Sequence, residues 1–244
     1  MQRKSKLRVR WTPLVCIVAT FALAGIAHAQ IYVANGDNTI DKYSLTGAPM
    51  GLPLVSGLNN PNGLALQGNQ LFVTSSSDDT INEYSALTGA PIQVPLVSKL
   101  FNPLGLAVEN GNLYVANEAN GTIGEYTTAG ITERISLVSG LGDPFALAIT
   151  GNDLLVSDFT AGTVSEFDAT SGDPIHVPLI TGLHEPSGIA TDGTNIYVTN
   201  GQVGTVGKYD MSGTLISNII TGLSGPSGIA VLGSDLYVES FNGG

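Results

Sequence analysis

The side chains that carry most protein chemistry are sparse in this sequence. Its one cysteine, Cys16, lies in an apolar run near the N-terminus, so nothing after it can form a disulfide or offer a thiolate. There is no G-x-S-x-G elbow. Gly225-Pro226-Ser227-Gly228 resembles one only on the surface and reads as a turn entering a strand. Two histidines follow residue 29. His184-Glu185 begins like H-E-x-x-H, but Gly188 stands where the second histidine is needed, and a Pro-Gly turn replaces the helix that motif requires. His176 takes the place of Gln93 in an outer strand, so a solvent-facing side chain is expected. Gly201, Gly204 and Gly207 are spaced as turns and lack the lysine of a phosphate loop.

Oxygen ligands are the better candidates. Asn60, Asn102, Asp143 and Glu185 each stand immediately before a recurring proline, and Asn35, Asp37, Asp79, Asn117, Glu118, Asp158 and Asn200 lie at or just after strand ends. Brought to one end of a ring, the two sets make an oxygen-rich rim suited to a hard cation such as Ca²⁺ or another divalent ion. Asn and Asp also fill turns for conformational reasons alone. The dense D-x-D-x-D spacing of a local calcium loop is missing, and both readings stay open.

What must position these residues is a repeat. Asn112 to Tyr126 (NLYVANEANGTIGEY) has close copies starting at Ile31, Leu71, Leu154 and Ile196, and a shorter one at Leu236. Aligned on Leu113 in the third copy, the starts are separated by 40, 42, 41, 42 and 40 residues, the signature of one supersecondary unit per repeat. The third unit predicts four strands: Leu104 to Val108, Leu113 to Asn117, Thr122 to Thr127 and an outer one around Ile135 to Val138. Asn110-Gly111 supplies the positive φ that a tight hairpin needs between the first two.

Second strands such as LYVA and IYVT are apolar on both faces, a pattern that requires cover on both sides. A radial ring of four-stranded blades provides it, because each blade packs between two neighbours. All eight tyrosines fall in two columns of the repeat, Tyr32, Tyr114, Tyr197 and Tyr237 in one and Tyr43, Tyr84, Tyr126 and Tyr209 in the other. Phe72 and Phe167 fill further slots. These aromatics are assigned to packing between blades rather than to ligand stacking.

The unit P-x-G-[LI]-A, then G-[ND]-x-[LI]-Y-V, then G-T-[IV]-x-[EK]-Y, resembles the NHL-type β-propeller repeat. More distantly it is similar to the repeats of SMP-30/gluconolactonase and virginiamycin B lyase propellers. The resemblance implies an all-β fold of four-stranded blades, with five clear repeats and a partial sixth and a six-bladed parent. Five blades would close instead if Gly228 to Leu232 paired with Ile31 to Asn35. For a lactonase-like site it implies a divalent metal held in the channel by ligands from different blades, which Asn117, Asp143, Asp158 and Glu185 could supply. A virginiamycin-lyase-like site wants histidines from separate blades, whereas His176 and His184 belong to one repeat.

Residues 1–29 combine five basic residues, an apolar run from Leu14 to Ile26 and the small-x-small end Ala27-His28-Ala29, so a signal peptide cleaved after Ala29 is expected. Residues 30–244 then form the propeller domain. They keep four basic against twenty acidic side chains, a formal charge of −16, which disfavours nucleic acid and anionic lipid and favours divalent cations and basic ligands. The expectation is a secreted, periplasmic or cell-surface protein with no stable membrane insertion after cleavage. Three functions are consistent with it: a non-catalytic scaffold for a protein, carbohydrate or small molecule; a divalent-metal-dependent lactonase-like hydrolase or lyase; or a fragment of a longer surface protein.

Overall fold

A computed structural model of the chain describes residues 17–20 and 30–240. Its strands fall into six sheets. The first holds β1 (Ile17–Thr20), β2 (Gln30–Asn35) and β3 (Thr39–Ser44). The second holds β4 (Pro61–Gln67), β5 (Gln70–Ser75), β6 (Thr80–Ser85) and β7 (Pro91–Ser98). The third holds β8 (Pro103–Glu109), β9 (Asn112–Asn117), β10 (Thr122–Thr127) and β11 (Thr132–Val138). The fourth comprises β12 (Pro144–Thr150), β13 (Asp153–Asp158), β14 (Thr163–Asp168) and β15 (Pro174–Ile180). In the fifth are β16 (Pro186–Thr191), β17 (Asn195–Asn200), β18 (Thr205–Asp210) and β19 (Leu215–Ile220), and in the sixth β20 (Pro226–Leu232) and β21 (Asp235–Ser240).

Every sheet is an antiparallel meander, and the turns follow from their residues. Asn110 and Gly111 adopt φ of 49° and 83°, the left-handed pair expected of a two-residue hairpin. The next turn is a short 3₁₀ segment over Glu118–Asn120, ended by Gly121 at φ 64°, whose N–H donates to the Glu118 carbonyl. In the first sheet the segment around Pro49 to Val55 bridges to Tyr43 and Ile40 and stands where other blades have their outer strand.

The first strands form the inner ring. β4 lies beside β8, β8 beside β12, β12 beside β16 and β16 beside β20, while β1 touches both β20 and β4. Six apolar clusters then fill the boundaries between neighbours. One joins Phe72 and Ile81 to Leu113 and Tyr126; another joins Ile31, Val33 and Tyr43 to Ala230 and Tyr237, the first blade to the last. Each fully buried branched or aromatic side chain in such a boundary contributes roughly 1.5–3 kcal/mol. All eight tyrosines are buried, as packing between blades requires. The chain is therefore the expected all-β propeller.

Of the two closures that the sequence leaves open, the six-bladed one is found. β20 pairs with β21, not with Ile31 to Asn35, so the sheets number six and the five-blade closure does not occur. No sheet combines strands from both ends of the described residues. The expected signal peptide lies outside the described residues except for Ile17–Thr20, which forms β1.

Candidate functional site

In every blade but the first, the pairing of first and second strands slips just after the proline that opens the first strand: between Pro61 and Leu64, Pro103 and Leu106, Pro144 and Leu147, Pro186 and Gly188, and Pro226 and Ile229. A bulge there re-aims the side chains at that end of the strands, where functional residues often sit. The residue before the proline is in the left-handed region at Asn60, Asn102, Glu185 and Gly225.

In the third to sixth blades the last residue of the second strand serves as a clamp on the loop leading into its own blade. Asp158, almost wholly buried, accepts from the backbone N–H of Gly142 (2.7 Å), Asp143 (3.2 Å) and Ala161 (2.9 Å). Asn117 accepts from the Phe101 N–H at 3.3 Å and donates to Thr122 at 3.4 Å. Asn200 repeats this with the His184 N–H and Thr205, and Ser240 with Ser224. Two of the four expected metal ligands, Asn117 and Asp158, thus already hold backbone donors.

Asp143 and Asp158 come together in the fourth blade, and Glu118 of the third lies close enough to act on Asp143. Burial pushes the Asp143 carboxyl above the usual range; the hydroxyl of Thr160, 2.8 Å away, opposes this, and the charges of Glu118 and Asp158 add to it. Glu118 itself accepts from the side chain of Asn102 at 2.7 Å. In the same fourth blade Phe145 and Phe159 stack at 5.3 Å between centroids. Glu185, in the fifth blade, is exposed, and its carbonyl accepts from the Gly201 N–H at 3.0 Å. Among the described residues no group of three or more His, Cys, Asp or Glu is arranged to hold a metal ion.

In the second and fifth blades the next-to-last residue of the second strand ties neighbouring blades together at the inner ring. Thr74 accepts from the Gly63 N–H at 2.6 Å and donates to the Leu104 carbonyl of the next blade at 2.8 Å. Thr199 does the same between Gly188 and Ser227. Ala34, Ala116 and Ser157 fill this column in other blades, and Glu239 fills it in the sixth. Its carboxylate accepts from the Ser227 hydroxyl and, at 3.4 Å, from the Gly228 N–H. Burial pushes it up to about 7, against which those two hydrogen bonds act. Glu239 is the one acid in a column of Ala, Ser and Thr, so aligning the repeats column by column exposes it. Spacing motifs do not.

The outer edge carries a second polar set. Glu83, Glu125 and Glu166 are buried in third strands. Glu125 pairs with Arg134 at 3.1 Å, and Glu166 meets Nδ1 of His176 at 2.6 Å. His176 sits opposite Glu166 as Gln93 sits opposite Glu83, and its side chain is largely exposed, as expected.

By sequence the chain matches no family model and no curated protein. By structure it is similar to a gluconolactonase from Xanthomonas campestris, with a TM-score of 0.77 and 14% identity over 93% of this chain and 83% of that one. It is also similar to a chain of the nidogen/laminin complex, with a TM-score of 0.73 and 23% identity over 88% and 83%. Regucalcin from Agrobacterium tumefaciens, a calcium-binding protein, gives a TM-score of 0.71 and 17% identity over 93% and 82%. One architecture here serves an enzyme, a protein complex and a calcium-binding protein, so the likeness carries the fold and not the activity. The chain is a β-propeller of the kind these proteins share.

Proposed function

We propose that the chain is an exported, acidic propeller that acts as a non-catalytic binding scaffold. The observation that supports this best is the use made of its rim oxygens. Asn117, Asp158, Asn200 and Ser240 are spent on backbone donors of their own blades, which makes them parts of the frame that presents the loops. Among the other rim groups, Glu118 and Asp143, with the Phe145–Phe159 stack, give that end acidic and aromatic surface for a ligand. Glu239 supports a second reading, a lactonase-like hydrolase or lyase. A carboxyl held near neutrality beside a hydroxyl is suited to moving a proton at physiological pH.

A thermal melt with and without chelator, followed by a lactone-hydrolysis assay with added Ca²⁺, separates the two. The scaffold reading expects an unchanged melting temperature and no turnover. Turnover that disappears in Glu239→Gln overturns it.

A further inference from the structure

The inner strand of the first blade comes from an unexpected part of the chain. β1 pairs with β2 through Ile17 opposite Val33, Val18 opposite Tyr32, Ala19 opposite Ile31 and Thr20 opposite Gln30. This is the register of the second blade, where Leu64, Ala65, Leu66 and Gln67 stand opposite Val73, Phe72, Leu71 and Gln70. Ile17 therefore takes the place held elsewhere by Leu64, Leu106, Leu147, Ile189 and Ile229. β1 lies between β20 and β4, so it also completes the ring of inner strands. Yet Ile17–Thr20 lies within the apolar run that the sequence marks as the core of a cleavable leader.

Both readings hold if the position is filled only while the leader is attached. With it removed, β2 loses its neighbour on the channel side. Every residue of β2 is buried, so the loss leaves a row of unpaired backbone donors and acceptors at the bottom of a slot walled by β20 and β4. Such an edge takes up an extended segment by strand addition, backbone bonds giving affinity and alternate side chains giving selectivity. The first and last blades meet at this place, through Ile31 and Val33 on one side and Ala230 and Tyr237 on the other.

We propose that the edge of β2 is a strand-acceptor site, and that its occupant is the chain's own leader segment, Ile17–Thr20. Cleavage after Ala29 converts a ring of six inner strands into one of five with an open slot. The segment that refills it is extended and apolar, and binds antiparallel to β2 in the register of β1.

The test compares the full chain with a chain that begins at Gln30, with and without a synthetic peptide of residues 14–23 flanked by lysines for solubility. Hydrogen exchange at the β2 amides should be faster in the shortened chain, on the order of tenfold or more. Added peptide should slow it again and raise the melting temperature, and a scrambled peptide should do neither. Equal exchange in the two chains, or equal effects of the two peptides, overturns the proposal. If the shortened chain self-associates, dispersal by the peptide supports the leader as occupant, and indifference to it overturns that assignment. Should the shortened chain fail to fold, the full chain carrying a protease site after Ala29 can be cut once folded. A fragment that stays bound through gel filtration supports the site; one that departs with β2 exchange unchanged overturns it.

Discussion

The Thr199 hydroxyl lies 2.9 Å from the Ser227 carbonyl oxygen, so the second strand of the fifth blade is bonded to the first strand of the sixth. The same oxygen atom of Thr199 accepts the Gly188 N–H at 2.7 Å. One small side chain thereby fixes both the start of its own blade and the approach of the next. That approach is only as close as the glycine permits.

A methyl group at Gly188 would stand 2.1 Å from the Ser227 carbonyl oxygen and 2.9 Å from the Thr199 hydroxyl. Backbone cannot yield as a flexible side chain does, so Gly188→Ala should part the fifth and sixth blades. A loss of about 1–3 kcal/mol, measured by denaturant melting, is expected. A variant as stable as the parent would show that the two inner strands are not in contact.

The tyrosine columns allow a second check. Tyr126 is buried at the boundary of the second and third blades, against Phe72, Leu96 and Leu113. Tyr126→Ala should cost about 3–5 kcal/mol as a cavity-forming change. Stability unchanged within error would place the ring in solvent and contradict the stacking of blades.

Much of this frame is legible in the sequence alone. The spacing of the copies locates all six second strands, and the segment Thr122–Thr127 has the same bounds in sequence pattern and structure. Apolar character on both faces of LYVA required neighbours on both sides, which the boundary clusters supply. The oxygen set was harder to read. Asn and Asp in turns look alike whether they bind a cation or a backbone N–H, and only geometry separates them: Asp158 faces three N–H groups. β1 was illegible for a different reason. An apolar run of this length satisfies a leader and an inner strand equally well, and no turn residue marks it as one or the other.

The clamp role of Asp158 predicts a stability defect with no metal dependence. Asp158→Ala leaves the N–H groups of Gly142, Asp143 and Ala161 without their acceptor. The expected cost is about 1–3 kcal/mol. Chelator should leave the melting temperature of parent and variant where it was. A chelator effect on the parent that vanishes in the variant would instead make Asp158 a metal ligand.

Glu239 gives the chain a pH dependence whose sign can be worked out. Its carboxyl, ordinarily near 4.5, is held up to about 7 by burial. Between these values the folded chain keeps a proton that the unfolded chain has released, so stability falls as pH rises through that window and is level on either side. The full loss is on the order of 3 kcal/mol. Asp143 and Glu125 are raised by burial as well and tilt the profile the same way, so the measurement is the difference between parent and variant. Glu239→Gln keeps the shape and can accept from the Ser227 hydroxyl and Gly228 N–H but has no proton to lose. Parent and variant should therefore differ little at pH 4 and diverge as pH rises, with the variant more stable at pH 8. Curves that run parallel from pH 4 to 8 would mean that the carboxyl ionises as freely as in water and that its place beside Ser227 and Gly228 is not closed to solvent.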